Sequence, residues 1–392
     1  MSRSRSSIAA SLIARVALAV VAGARLAYAQ GDSTARAAAD SARHARPTLT
    51  APVHVCAGGD VTLGTNLDRV WARSAADTLW SRFGLRADPD SLAPALAPFL
   101  AGADLVLLNI EGAIGSGPAP QKCGHRSTNC YAFRQPPNTA AALRRLVDSS
   151  VAIVGNVANN HARDAGDSGR EATIHRLTDA HIDVTGADTL ATPVALADGD
   201  TIGVLGFYTD SATPDARNVA AVRRHVARAA ARYGTVIVTM HLGAEGARAQ
   251  RTRNTTERFL NNIDRGNPVA FADAAFAGGA TLVIGHGPHV LRAGEWRGDR
   301  LVLYSLGNLL TYGPFNLREP TNRGVVACAT IDSAGYVSHA ELRPTMQLWP
   351  GVLRPDSTHR AWTLIDSLSA LDFPRTGVSV DSTGVLVKRK PR

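Results

Sequence analysis

Residues 151–166 read VAIVGNVANNHARDAG, and their reading decides the fold class. Val151, Ala152, Ile153 and Val154 make a short apolar run of the kind that forms a buried strand. Asn156, Asn159, Asn160 and His161 follow at once, so a strand delivers amides and an imidazole to the rim of a sheet. An asparagine oxygen is a neutral ligand for a hard cation, and a neighbouring histidine can carry a proton. The same residues also suit a capped turn closed by Asp164 and Gly166. The stretch by itself leaves both readings open.

The arrangement recurs on either side. Residues 53–57 read as a strand that runs into Gly58-Gly59-Asp60, where glycines let the backbone turn and leave a carboxylate at the strand end. Residues 104–110 end at Glu111, residues 235–240 end at His241, and residues 281–284 run into Gly285-His286-Gly287-Pro288-His289. Helical patterns lie between them at about 75–83, 91–100 with Asp90 or Ser91 as cap, 138–147, 168–180, 219–233 and 268–276. Short strands are expected at 182–185, 193–197 and 201–208, the last two joined by an Asp198-Gly199-Asp200 turn. Residues 244–267 are polar and read as an excursion or lid. Hairpins then pair 290–296 with 300–305 and 325–332 with 336–343, and the pattern weakens past Met346. Strand-helix-strand alternation followed by hairpins makes an α/β protein with mixed sheets.

With 392 residues, 45% hydrophobic and 19% charged, the composition is that of an ordinary globular chain with one large domain. Arg3 and Arg5 precede an apolar run at 8–24, and Ala27-Tyr28-Ala29 before Gln30 has the form a signal peptidase accepts. Residues 1–29 therefore read as an export signal to the periplasm or cell surface. Arg15 and Arg25 make the run too short and charged for a spanning helix, an uncleaved membrane anchor being the alternative. Residues 30–52 read as a linker, 53–345 as the folded domain and 346–392 as an extension with a basic tail. Without Arg3, Arg5, Arg15 and Arg25 the formal charge falls from +9 to +5, part of it in Lys388, Arg389, Lys390 and Arg392, read as a solvated terminus. No zinc-finger spacing, RNA-binding signature or recognition helix points to nucleic acid. Cys123 and Cys130 stand in a polar loop and are expected to form a disulfide, since no C-x-x-C pair supports zinc. Cys56 and Cys328 lie in apolar runs and are expected as buried thiols.

Asp60, Glu111, Asn160, His241, His286 and His289 form a mixed oxygen and nitrogen donor set. It suits one or two divalent ions such as manganese, iron or zinc better than calcium. Two such ions about 3.5–4 Å apart would acidify a water and stabilise a phosphoryl-like centre, leaving His161 to protonate the leaving group. Singly each residue has a quiet reading. Asp60 suits a helix cap, Glu111 a surface ion pair, His241 a core histidine, and His286 with His289 a hydrogen-bonded turn. Their recurrence at five strand ends favours a shared centre. A serine hydrolase is not supported, because no G-x-S-x-G appears.

Six motifs carry a resemblance: GGDVTLG at 58–64, LNIEGAI at 108–114, ANNHARDAG at 158–166, HLGAE at 241–245, GHGPHVL at 285–291 and YSLGNLL at 304–310. In this order, over about residues 53–340, they resemble the capsule-synthesis protein CapA family of poly-γ-glutamate biosynthesis, within the calcineurin-like metallophosphoesterases. The resemblance implies a four-layer α/β/β/α sandwich with metal at the strand ends. Asp60 matches the first acidic ligand, Glu111 stands at the bridging Asp, Asn160 and His161 match the Asn-His pair, and His241, His286 and His289 match the later histidines. Thr62 replaces the His of Asp-x-His, and Gly-His-x-His is stretched to Gly-His-Gly-Pro-His, which leaves one metal site thinner in ligands. Ser305, in the last motif, lacks a triad and reads as structural.

The implied activity is metal-dependent hydrolysis of a phosphoester or anionic polymer substrate at the cell envelope, beside membrane-bound capsule synthesis components. The alternative is a non-catalytic polymer-binding or anchoring subunit. Arg126 and Arg134 are expected to contact such an acidic polymer substrate, the alternative being solvated loop arginines, and Asn159 is expected to contact substrate.

Overall fold

A computed structural model describes residues 47–64, 69–115, 131–210, 214–260 and 262–390. The export segment, Arg126, Cys123 and Cys130 lie outside the described residues. Among those described, no helix is long and apolar enough to cross a membrane.

Two mixed sheets carry the fold. In the first, β1 (Val53–Thr62), β2 (Leu105–Ile110), β3 (Ala152–Asn156) and β4 (Asp183–Thr185) run parallel. The second has six strands: β5 (Thr192–Ala195), β6 (Thr201–Tyr208), β7 (Val236–His241), β8 (Leu282–His286), β9 (Gly294–Trp296) and β10 (Leu301–Leu303). Its spatial order is β9-β10-β8-β7-β6-β5, with β6, β7, β8 and β10 parallel. The chain then returns to the first sheet. There β11 (Asn308–Thr311) joins the far end of β1 in parallel, and β12 (Arg323–Ile331), β13 (Val337–Leu348) and β14 (Val352–Pro355) extend the other side antiparallel.

Alternating side chains build three cores from these two sheets. Val53, Val55 and Ala57 of β1 and Leu105 and Leu107 of β2 meet Ile202, Val204, Ile237, Leu282 and Ile284 between the sheets. The intervening residues face outward. Val106, Leu108 and Ile153 pack under helices on one side, among them α1 (Arg69–Thr78), α2 (Thr139–Arg144) and α3 (Gly166–Asp179). Leu205, Phe207, Val236 and Val283 pack under α4 (Val219–Tyr233) and α5 (Pro268–Gly278) on the other. Each such side chain taken from water stabilises the fold by about 1.5–3 kcal/mol, which is why the strands read as nearly continuous apolar runs. The layers are therefore α/β/β/α.

Some local expectations shift. Residues 91–100 form one α-turn, Pro89–Leu92, followed by the 3-10 segment Ala93–Leu100. Pro94 and Pro98 lack the amide hydrogen that an α-helix requires, and Asp88 caps the turn by accepting from the Ser91 amide. Past Met346, where the sequence pattern weakens, α6 (Arg360–Asp372) contributes Ala361 and Ile365 to the core between the sheets. In the basic tail, Lys388 pairs with Asp299 at 2.6 Å and Arg389 with Asp366 at 2.8 Å, so these two are not free in solvent. Leu49, within the expected linker, is buried in the same core.

The thiol expectation for Cys56 and Cys328 is corrected: they form a disulfide. The antiparallel register sets Cys56 opposite Cys328, 272 residues further along the chain, and no local pattern reports such a pairing.

One irregularity aims the site. With Val55 and Ala57 facing inward, strict alternation would put Asp60 on the outer face. The pairing of β1 with β2 slips between Ala57 and Asp60, and Val61 beyond it packs in the outer core. This bulge reverses the phase and turns Asp60 inward. Gly59 is required there, because a Cβ would lie 2.0 Å from the Gly307 carbonyl oxygen.

Candidate metal centre

Asn109 and Asn156 on the first sheet, and His241 and His286 on the second, continue the inward phase of Leu107, Val154, Ile237 and Ile284. The inter-sheet core thus ends in polar groups at the C-terminal edge of its parallel strands. Asp60, Glu111 and His241 are fully buried, and His286 is 1% exposed.

These groups converge on Glu111 Oε1. His289 Nε2 lies 3.6 Å from it, His241 Nε2 3.7 Å and His161 Nε2 4.0 Å. His286 Nδ1 is 3.8 Å from Asp60 Oδ1. Such separations are too long for hydrogen bonds. They stay within the reach of donors sharing an ion, since two ligands each about 2.1 Å from a metal stand at most about 4.2 Å apart. Donor atoms of Asp60, Glu111 and His289 all lie within 4.8 Å of one another.

Asp60 Oδ2, both Glu111 carboxylate oxygens, His241 Nε2 and both His286 ring nitrogens are buried without a hydrogen-bond partner. His289 Nδ1 reaches Asn308 Oδ1 at 3.0 Å and Asp60 Oδ2 at 3.1 Å. We assign its single hydrogen to Asn308, which leaves Asp60 as an ion-pair contact. Each orphaned polar atom costs about 1–3 kcal/mol unless something satisfies it. Carboxylate and imidazole donors left this way in one place fit a divalent cation.

The electrostatics agree. Burial would raise the Asp60 carboxyl, but His289, with His241 and His286, overcomes it and holds the group below its ordinary range. Burial and then the Asp60 charge push Glu111 well above its own, with His289 opposing. Burial and then Arg265 keep His241 far below the ordinary imidazole value, and burial takes His286 down to about 4 against the pull of Asp60. His289 is pushed up to about 10, where Glu111 and Asp60 outweigh burial. Without a cation the cluster balances its charge with protons, while His241 and His286 keep the neutral form that binds metal.

A hidden amide network holds the donors. Asn109 Nδ2 donates to Asp60 Oδ1 at 2.8 Å and lies 3.1 Å from His241 Nδ1. Asn156 donates to Asn109 Oδ1 at 2.8 Å. Thr62, at the variant motif position, spends its hydroxyl on the Glu111 carbonyl at 2.7 Å. His161 Nδ1 is 2.5 Å from Asp164 Oδ2, and Asp164 also accepts from the Phe133 amide at 2.7 Å.

The model of the bacterial capsule synthesis protein PGA_cap family matches residues 54–312. The chain belongs to this family. It is similar to the PGA biosynthesis protein CapA of Bacillus subtilis (strain 168), with 24% identity over 268 residues, or 64% of this chain and 61% of that protein. Among solved structures it is similar to the 5'-nucleotidase precursor from Thermus thermophilus, at 13% identity and a TM-score of 0.33, covering 83% of this chain and 59% of that one. It is also similar to Haemophilus influenzae NAD nucleotidase (NadN), at 11% identity and a TM-score of 0.33, covering 81% and 62%. The fold itself stands on the two sheets and three cores described above.

In this PGA_cap protein, Asp60, Glu111, His241, His286, His289 and His161 come together. Asn160 is half-buried and precedes His161 directly in the chain. Asn159, expected to touch substrate, is 3% exposed and tied to its neighbours. Its Nδ2 donates to the Ile110 carbonyl at 2.9 Å and its Oδ1 accepts from the His161 amide at 3.1 Å. Arg134 lies in the short strand Arg134–Gln135, and no arginine is among the described residues lining the adjacent cavity. Asn109, Asp164 and Asn308 were missed as site residues. For Asn109 a signal existed: it stands two residues after Leu107 and so shares its face.

The YSLGN motif now has a physical role. Asn308 accepts from His289 Nδ1, donates to the Thr321 carbonyl at 2.9 Å, and so anchors a histidine whose backbone sits at φ 58°. That left-handed turn is what the stretched Gly-His-Gly-Pro-His spacing requires. Replacing Asn308 by alanine is expected to weaken metal affinity about 10–100-fold, as loss of such a support does. Competition titration against a chelator measures it, and unchanged affinity would remove Asn308 from the centre.

Proposed function

We propose that the chain is an exported, metal-dependent phosphoester hydrolase serving capsule or poly-γ-glutamate biosynthesis. The observation that carries this reading is the set of buried carboxylate and imidazole atoms left without hydrogen-bond partners around Glu111 Oε1. Asp60, Glu111, His241, His286 and His289, with the Asn160 amide, would hold one or two divalent ions; manganese, iron and zinc accept such donors. When bound, such an ion supplies Lewis acidity to a phosphoryl oxygen and a lowered pKa to water.

The chain supplies the proton handling. Asp164 holds the Nδ1 side of His161, so Nε2 is the atom turned toward the centre to protonate a leaving oxygen. The Phe133 ring, 4.4 Å from the imidazole, shields that exchange from water. The Cys56–Cys328 disulfide supports export, because such bonds persist in oxidising compartments. Membrane-bound capsule synthesis components are the partners this setting suggests.

Thr62 favours a second reading, a polymer-binding or anchoring subunit with little turnover. Its hydroxyl is committed to the Glu111 carbonyl, so the centre has fewer donors than its motif calls for. Elemental analysis beside hydrolysis of bis(p-nitrophenyl) phosphate with added manganese separates the two. The hydrolase reading expects about one or two metal equivalents per chain and turnover that chelation abolishes. Metal without turnover, together with binding of a glutamate polymer, selects the second reading, and absence of metal removes the hydrolase reading.

A further inference from the structure

Beside the centre lies a cavity of about 190 Å³, with His161, His289 and Asn308 among its lining. The rest of its wall is unlike a polyanion site. Tyr131, Phe133 and Phe315 form a ladder of stacked rings, with centroids 6.5 and 4.9 Å apart and planes within 22° and 16°. The ladder reaches the metal-binding cluster directly, since Phe315 lies edge-on to His289 at 5.6 Å. Phe259 and Leu260, from the short strand Arg258–Phe259 and the turn after it, add apolar surface, as does Pro314.

No lysine or arginine is among the described lining residues, and the one carboxylate there, Glu245, is paired with Arg265 at 2.9 Å. A polyanion needs a row of cations to follow its charges. A flat ring needs aromatic faces and little else. The size agrees, because an apolar cavity of about 150 Å³ accommodates benzene.

Resting on the phosphoester reading above, we infer that the substrate is a phosphoester whose organic group next to the phosphorus carries a flat, apolar six-membered ring face, held against the Tyr131 and Phe315 ends of the ladder, with Phe133 buried between them as their support. Phosphonates test the inference without turnover, because the carbon-phosphorus bond is not hydrolysed.

Calorimetric titration of the metal-replete protein compares phenylphosphonate with methylphosphonate. Wild type is expected to bind the phenyl compound about tenfold more tightly, the order that stacked aromatic contacts supply. Phe315→Ala should narrow that ratio to within about twofold, and its methylphosphonate isotherm reports whether the centre is still formed. Equal affinities in wild type would overturn the ring pocket and leave the hydrolase reading intact. Displacement of phenylphosphonate by a glutamate oligomer at lower concentration would overturn it in favour of an acidic polymer. Failure of both phosphonates to bind protein that carries metal would take away the phosphoester reading itself.

Discussion

Asp60→Asn is expected to empty the metal centre and to lower phosphoester turnover by about a thousandfold or more, the several kcal/mol that a catalytic ion supplies. Asparagine keeps the shape of the side chain and still offers an oxygen to Asn109 Nδ2, so the amide network survives the change. What disappears is the negative charge at the one point that His286, His289 and Asn109 all approach. A divalent ion facing only Glu111 and neutral imidazoles then has half the anionic charge to bind. Elemental analysis after dialysis, with thermal unfolding to verify the fold, makes the measurement. Full metal content in Asp60→Asn would show that the cation sits elsewhere.

His161→Ala should separate chemistry from metal binding. We expect metal content to stay within error of wild type while turnover falls about 10²–10⁴-fold, the range for loss of a general acid. The loss should depend on the leaving group. p-Nitrophenolate departs without a proton, so its esters should suffer least, and esters of aliphatic alcohols most. Asp164→Asn should reproduce part of this pattern, because the carboxylate that orients Nδ1 is gone while the imidazole remains. A uniform loss across leaving groups would remove His161 from the proton-transfer step and leave it a structural neighbour of Glu111.

The two variants probe residues of different legibility. His161 stood out because an imidazole after a run of asparagines at a strand end is chemically conspicuous. Asp60 was conspicuous too, but its aim was not: alternation alone turns it to the wrong face, and only the bulge after Ala57 corrects it. Asn109 and Asn308 were harder still. An amide inside an apolar strand or a glycine-bearing loop looks like turn chemistry until its partners are known, and those partners lie 132 and 19 residues away, at His241 and His289. Arg134 stands out by its charge, whereas the described wall of the cavity beside the centre is built of rings from three separated segments that share no sequence pattern.

What the amino-acid order determined by itself was local and periodic: apolar runs long enough for buried strands, helices between them, and polar residues just past the strand ends. Those features follow from backbone geometry and burial, which act over a few residues. Tertiary structure alone decided which strands became neighbours. It thereby set the Cys56–Cys328 bridge, the inward turn of Asp60, and the closing of an aromatic wall beside the donors. The reason is physical: register and cross-sheet packing minimise the energy of the whole chain, and a pair of residues hundreds of positions apart leaves no mark on the sequence around either one.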